Sequence, residues 1–513
     1  MKRRATATAA YHRRRDAEQL EVYRRDIDTF IADYRHRVLV PDGPPRQTLF
    51  FFPGGMACQL WRSHRKFNAG NPNEKLRYQR LWLDLGTFLG NALKLGMQQD
   101  ADGLFRDKHE YIVVADGAVN LGGCTPHDGL IDWCNDNNVD LFVYNWDWRR
   151  RQTDCAEFFV KQFWPLFRQK LADAGIPEAG RQFSLLGHSF GGMVIKLILE
   201  NNDPDVARKL KSAVTAATPF YGYGEQAHRW FEGEPLLNGD GHDVRRKVVR
   251  VICSMPGLYV LHYLDWETYE RDRAELEADE FPLTAYPSID ASTKQPFDPW
   301  QQPTAPDQRV RYPASMGFMP HELSRGREAY RTIARRNDDP RLFNIRGVKI
   351  DSKTPAAKTH GSVTCDWIRP QFDPEDGTPI RDGRYDVPGD DTQSAWSARL
   401  VSKANPGRVR TVKSDTLSHM FLMNERGTLE QLASILHGQA AIANTAIRTR
   451  QATAFASDDE LEQFLDWMND LRQRRNGKPL REEDIQREMP DNVRSNMPSI
   501  AARIIADIFK RRT

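Results

Sequence analysis

One stretch of this chain limits its possible folds more than any other, the segment Phe183–Gly192 with the sequence FSLLGHSFGG. An apolar run enters a Gly-X-Ser-X-Gly turn, and a helical pattern follows it. Such a strand–turn–helix unit presents its serine at the tip of a strained turn, above the carboxyl ends of a parallel sheet. Ser189 is therefore a candidate nucleophile, and the backbone N–H of Phe190, which begins the helix, is a candidate oxyanion donor. The alternative is a glycine-rich turn with an idle serine.

A second oxyanion donor is predicted from an earlier turn. Residues 47–52 form a buried strand by composition, and this strand ends in the turn Pro53–Met56. In hydrolases with a serine elbow, the second donor comes from a turn that follows a strand in this way. The backbone N–H of Gly55 is the candidate, and an ordinary strand-terminating turn is the alternative.

Apolar runs and helical patterns alternate along the first half of the chain. We expect strands, in chain order, at residues 47–52, 111–115, 140–144, 183–186, 212–217, 341–347 and 408–412, and helices at 14–36, 129–133 and 153–173. Strands that alternate with helices form a mostly parallel sheet with helices on both faces. The predicted fold class is therefore α/β.

The same patterns divide the chain into five parts. We predict an N-terminal amphipathic helix in 1–46, a first part of the α/β core in 47–220, an inserted cap in 221–335, a second part of the core in 336–440, and a C-terminal helical extension in 441–513. The cap segment is rich in aromatic residues and proline. That composition fits either an acyl-chain pocket or an ordinary core, and both interpretations stay open.

The remaining catalytic residues are sought after the serine. A serine hydroxyl needs a base, which is a histidine oriented by a carboxylate, and the chain order in hydrolases of this kind is serine, acid, histidine. His419 follows the last predicted strand in a short polar loop and is the candidate base. Asp390, in a turn-rich loop, is the candidate acid, with Asp391 and Asp386 as competitors.

Five short motifs occur in order across about residues 47–425. They are Pro53-Gly54 with Gln59-Leu60, Trp146-Asp147-Trp148-Arg149, Gly187-His188-Ser189-Phe190-Gly191-Gly192, Gly389-Asp390-Asp391-Thr392, and Ser418-His419. Together they resemble the lecithin:cholesterol acyltransferase family, which includes the lysosomal acyl-transferring phospholipases. The resemblance implies an α/β-hydrolase fold with a cap, and Asp390 as the acid of the triad. It also implies that the serine takes a fatty acyl group from a lipid ester and passes it to water or an alcohol.

The chain departs from that family at several positions. Gln393 stands where the family usually has a small apolar residue, and Pro219-Phe220-Tyr221-Gly222 replaces the usual Pro-Trp-Gly-Gly. No cysteine pair matches the family's lid disulfide. These differences concern the lid and the acyl acceptor, and they leave the three catalytic candidates in place.

Charge and composition exclude other classes of protein. The net charge is +3 with 28% charged residues, a balance that argues against a nucleic-acid binder. No run of residues approaches the ~20 apolar residues that a membrane-spanning helix needs. The basic N-terminal segment is not followed by the apolar segment that a Sec signal has. The six cysteines are scattered without metal-ligand spacing, as in a protein with reduced thiols. We expect a cytoplasmic location, with export that needs no Sec signal left open.

The sequence thus predicts a serine-dependent acyl-ester hydrolase or O-acyltransferase that acts on lipid or phospholipid esters through an acyl-enzyme. We expect no metal or organic cofactor. We do expect a transient contact with a membrane surface. Two alternatives stand beside this prediction: a non-catalytic hydrolase scaffold that binds a ligand or partner, and a lipase-type effector toxin with the same chemistry. The lipid, the acceptor and the oligomeric state are left open.

Overall fold

The structure, a computed structural model, describes most of the two predicted core segments. The described residues are 2–71, 73–82, 92–119, 125–177, 182–223, 249–261, 317–335, 339–350, 363–365, 371–372, 379–380, 384–386, 389–390, 392–393, 395, 397–399, 408–415, 417–438 and 467. Most of the predicted cap and nearly all of the predicted C-terminal extension lie outside these residues.

The described helices and strands follow one another in the order that the alternating patterns predict, with additional short strands. They are α1 (Lys2–His36), β1 (Gln47–Phe52), β2 (Cys58–Lys66), β3 (Tyr78–Trp82), β4 (Met97–Gln99), β5 (Phe105–Asp107), β6 (Tyr111–Ala118), α2 (Asp128–Asp136), β7 (Val139–Val143), α3 (Gln152–Phe158), α4 (Trp164–Asp173), β8 (Phe183–His188), α5 (Phe190–Asn201), α6 (Pro204–Lys209), β9 (Leu210–Ala216), α7 (Pro320–Arg335), β10 (Leu342–Lys349), β11 (Val363–Cys365), β12 (Gln371–Phe372), β13 (Pro379–Ile380), β14 (Arg384–Asp386), β15 (Val409–Ser414) and α8 (Arg426–His437). A π-helical turn, Phe159–Phe163, joins α3 to α4.

Six of these strands form one sheet in the order β15-β10-β9-β8-β1-β7, and every neighbouring pair is parallel. The inner strands β1 and β8 are buried almost throughout. Continuous apolar strands of this kind are typical of a parallel sheet with helices on both faces. The predicted α/β class is confirmed.

The strand predicted at 111–115 forms, but it does not join the parallel sheet. It lies within β6, which belongs to a separate antiparallel sheet in the order β3-β2-β6. Trp61 of β2 pairs with Val114 of β6. An apolar run predicts that a strand is buried. Its direction depends on a partner strand that is distant in sequence, so the pattern alone could not show which sheet this strand joins.

Two apolar layers cover the two faces of the parallel sheet. On one face, α1, α3, α4 and α5 pack around Phe50 and Phe52 of β1. On the other, α2 and α8 pack around Leu49 and Phe51 of the same strand and Leu186 of β8. The alternation along β1 thus sends successive phenylalanines to opposite faces.

Helix α1 extends beyond the predicted range 14–36, since it begins at Lys2. Its buried stripe consists of Tyr23, Ile27, Phe30 and Ile31 at helical spacing. This stripe packs against β6, β7 and α4. The helix is therefore an integral layer of the core.

Two further findings bear on the sequence predictions. No helix among the described residues combines the length and the apolar character that crossing a bilayer requires. The four cysteines whose side chains the structure describes, Cys58, Cys134, Cys155 and Cys253, are free and buried.

Candidate active site

Ser189 occupies the sharp turn between β8 and α5. Its backbone has φ 52° and ψ −122°, a region that non-glycine residues rarely adopt and that costs of order 1–3 kcal/mol. The Ser189 N–H donates a hydrogen bond to the carbonyl of Ala216 on β9, at 2.7 Å. The surrounding strands thus hold the serine in a strained conformation at the carboxyl edge of the sheet.

The two glycines that flank the serine are required by close backbone contacts. A Cβ at Gly187 would lie 2.6 Å from the Cα of Gly192. A Cβ at Gly191 would lie 2.1 Å from the carbonyl oxygen of Phe52. Neither position could carry a side chain without a backbone shift, so the motif reflects the approach of α5 to β1 as well as the turn itself.

The structure brings Ser189, His419 and Asp390 into one chain of hydrogen bonds. The Nε2 atom of His419 lies 2.9 Å from Ser189 Oγ, and the Nδ1 atom of His419 lies 2.8 Å from Asp390 Oδ2. His419 and Asp390 are buried. With its Nδ1–H donated to the carboxylate, the imidazole presents the lone pair of Nε2 to the serine hydroxyl.

The Asp390 carboxylate is held in place by its own loop. Its Oδ1 atom accepts hydrogen bonds from the backbone N–H groups of Gln393, at 2.7 Å, and Thr392, at 3.3 Å. Its carbonyl accepts the N–H of His419 at 2.7 Å. The Gln393 side chain donates to the carbonyl of Gly222, so it ties the acid loop to the segment after β9.

The structure does not describe the side chain of either competing aspartate. Asp386 ends β14, where its backbone pairs with Val363. Asp391 lies outside the described residues. Among the aspartates whose side chains the structure describes, Asp390 is the one whose carboxylate contacts His419.

The turn that carries Gly55 packs directly against the elbow. A Cβ at Gly54 would lie 3.1 Å from Ser189 Cβ, and one at Gly55 would lie 2.8 Å from a ring carbon of Phe190. The indole N–H of Trp146 donates to the Pro53 carbonyl at 3.1 Å, and its ring lies 5.5 Å from that of Phe190. The Phe190 N–H has no intrahelical acceptor because it opens α5. Both predicted oxyanion donors thus lie on segments that meet at the serine.

The motif around Trp146 is supported by a buried ion pair. Arg149 is fully buried, and its Nε and Nη2 atoms donate to the two carboxylate oxygens of Asp147 at 2.9 and 2.8 Å. Burial alone would raise the pKa of Asp147, but the adjacent guanidinium lowers it below its usual range. A bidentate pair of this kind fixes the loop rigidly, and it places Trp146 under the turn of Gly55.

Sequence reasoning assigned no role to two histidines beside the serine, one of which, His188, is part of the elbow motif. His127, at the start of α2, and His188, which precedes Ser189, are each more than nine-tenths buried. Their rings lie 6.2 Å apart, and the ring of His188 lies 4.9 Å from that of His419. Among the described residues, neither ring nitrogen of His127 has a hydrogen-bond partner, and the His188 ring lies near the backbone carbonyl of His419 without a well-aligned hydrogen bond to it. His127 carried no local signal, because its neighbours in the site are distant in sequence.

Both histidines are held in their neutral form. Burial lowers the pKa of His127 to about 3. Burial and then the adjacent imidazoles of His419 and His127 hold the pKa of His188 well below its usual range, and the nearby carbonyl of His419 offsets this only in part. At neutral pH each ring therefore offers one N–H donor and one nitrogen acceptor.

These depressed pKa values predict a loss of stability in acid. The unfolded state protonates both histidines near pH 6.5, whereas the folded state resists protonation until far lower pH. The free energy of unfolding should therefore fall as pH drops below about 6.5, by about 2 kcal/mol per histidine at pH 5. His127→Leu should reduce the loss between pH 7 and pH 5 by about that amount in urea unfolding. An equal change at both pH values would contradict this assignment.

One group among the described residues has the ligand types of a metal site. His12, Asp100 and Asp102 place their ligand atoms within 4.8 Å of one another. However, Asp100 already accepts from the Arg106 guanidinium at 2.8 Å and lies 3.3 Å from His12. The Asp100 carboxylate is thus paired with a guanidinium, and burial lowers the pKa of His12, so the neutral His12 joins α1 to the β4–β5 hairpin by a hydrogen bond.

Comparisons of this chain with known proteins find matches among solved structures alone. No protein-family model matches it, and no curated protein matches it. Among solved structures, a chain of the Tle4-Tli4 complex aligns with a TM-score of 0.43 and 11% sequence identity, over 78% of this chain and 99% of that chain. The function proposed below therefore rests on the geometry of this chain's own residues.

Proposed function

We propose that the protein is a serine-dependent acyl-ester hydrolase or O-acyltransferase that acts on lipid or phospholipid esters. The observation that carries the proposal is the buried hydrogen-bond chain from Asp390 through His419 to Ser189, with distances of 2.8 and 2.9 Å. A serine with this strained backbone, a correctly oriented base and a fixed carboxylate has the parts that acyl transfer needs. A scaffold that only binds a ligand would have no need of all three.

The reaction follows from the positions of these atoms. Ser189 Oγ attacks the ester carbonyl while His419 Nε2 takes its proton, and Asp390 stabilises the imidazolium that forms. The N–H groups of Gly55 and Phe190 bind the negative charge on the carbonyl oxygen. His419 then returns the proton to the leaving alcohol, which departs and leaves an acyl group on Ser189.

A lipid ester is the substrate class that best fits the immediate surroundings. Part of the wall of the small cavity beside Ser189 is apolar and is formed by Met56, Ala57, Val119 and Met420. An apolar wall at the reacting carbon suits an uncharged ester better than a charged or sugar-like group. The family resemblance of the elbow, acid-loop and histidine motifs supports the same class.

The test combines covalent labelling with lipid analysis. The folded protein should react with a fluorophosphonate probe, and mass spectrometry of the digested adduct should place the phosphonate on Ser189. Mixed phospholipid vesicles incubated with the protein should release fatty acid, or fatty acyl esters when an alcohol is present. A folded protein that neither reacts with the probe nor alters any lipid ester would overturn the proposal.

A further inference from the structure

The unassigned feature closest to the reacting atoms is the pair of buried histidines. His127 and His188 line the same small cavity as Ser189 and His419. None of their four ring nitrogens makes a well-aligned hydrogen bond among the described residues, although the backbone carbonyl of His419 lies near the His188 ring. Burying an imidazole without any hydrogen bond costs free energy, and aliphatic side chains would fill this space without that cost. Two such groups in one cavity indicate that they bind something polar there.

The cavity is sized for a very small molecule. The space in it that the centre of a water molecule can occupy is about 20 Å³, and roughly 10–15 Å³ is enough for one water. A Cβ at Gly54 would lie 3.4 Å from His188 Nδ1, so this nitrogen faces the turn that also carries Gly55. The His127 ring packs edge-to-face with Phe51, with ring centres 4.7 Å apart. Both histidine rings therefore line the space next to the serine.

We infer that His127 and His188 bind the water molecule that releases the acyl group from Ser189, so that water is the preferred acceptor. The inference rests on the proposed function, and it deepens it by naming the acceptor. The two rings are positioning residues, since His419 remains the base.

The deacylation step is balanced with the groups present. His419 Nε2 takes a proton from the bound water as the water oxygen forms a bond to the acyl carbon. The bond between that carbon and Ser189 Oγ then breaks, and His419 returns the proton to Oγ. The products are a free carboxylic acid and the original serine. Because His127 and His188 stay neutral, they hold the water by hydrogen bonds without competing for its proton.

The test separates acylation from deacylation. With a chromogenic short-chain ester, His127→Leu should leave the rate of the first turnover and of fluorophosphonate labelling unchanged. Hydrolysis of the acyl-enzyme should slow about tenfold, since a lost hydrogen bond to the water has about that effect. The acylated protein should then accumulate and be visible by intact-mass spectrometry. His127→Asn or His127→Gln, which keeps a polar group, should restore part of the rate.

His437 provides the matched control. It is half-buried, its Nε2 atom has no partner among the described residues, and it lies at the opposite edge of the sheet, beside Gln47 at the start of β1. His437→Leu should leave both steps unchanged. If His127→Leu slows both steps equally, or neither, the inference is wrong.

A measurement on the unaltered protein decides the same question without any variant. When glycerol is added, it competes with water for the acyl group. The fraction of acyl groups transferred to glycerol should stay below the mole fraction of glycerol in the mixture, because the cavity holds one water and excludes the larger alcohol. Glycerol esters in excess of that share would overturn the inference. A wild-type protein that forms no acyl-enzyme at all would instead overturn the proposed function, and the inference with it.

Discussion

Ser189→Ala is expected to lower the turnover rate of ester hydrolysis by about 10⁶-fold. The substitution removes the nucleophile, the Oγ that lies 2.9 Å from His419 Nε2. Labelling by a fluorophosphonate probe should disappear as well. The fold should be retained, because alanine bears the backbone strain at φ 52° about as well as serine does. The measurements are the initial rate with a chromogenic ester and the melting temperature of both proteins.

Ser324→Ala is a suitable control for this experiment. Ser324 is exposed on α7, where its hydroxyl contacts the carbonyl of Pro320 within its own helix. This variant should keep full activity and labelling. Substantial hydrolysis by folded Ser189→Ala would show that another residue is the nucleophile, and the proposed mechanism would fail.

Asp390→Asn is expected to lower the turnover rate by about 10⁴-fold with little change in structure. The asparagine side chain can keep the hydrogen bonds from the N–H groups of Thr392 and Gln393. It cannot stabilise the imidazolium, and it favours the tautomer of His419 that lacks a free lone pair toward Ser189. The fall should appear in the rate constant for acylation, measured by a single turnover with a chromogenic ester.

Asp391→Asn supplies the matched comparison for the acid. It changes the neighbouring residue in the same Gly-Asp-Asp-Thr segment by the same single atom, and it should keep most of the activity. If Asp391→Asn is inactive and Asp390→Asn is active, the contact between Asp390 and His419 is not the catalytic one.

The local motifs predicted the most about this protein because their chemistry is tied to short spacing. The elbow of Ser189 requires a strand, a tight turn and a helix within a few residues, and each is present in order. The parallel sheet followed from the alternation of apolar strands and helices. His419 and Asp390 could be proposed because chain order restricts where a base and an acid can stand.

Features that depend on contacts between residues distant in the sequence could not be predicted. The pattern of β6 indicates a buried strand, but only its pairing with β2 makes it antiparallel. Asp390 and Asp391 are adjacent and chemically identical, so the choice between them depends on which way the loop directs each carboxylate. In the sequence, His127 looks like an ordinary turn histidine, because its contact with His188 forms only in the folded protein.

The position of α1 has a consequence for synthesis of the protein. Its apolar stripe of Tyr23, Ile27, Phe30 and Ile31 packs against strands and a helix that include α4, which begins more than a hundred residues later in the chain. The ribosome adds roughly 5–20 residues per second. The stripe therefore stays without its packing partners for on the order of ten seconds. The yield of folded protein therefore depends on what shields the stripe, such as a chaperone, between the synthesis of α1 and that of α4.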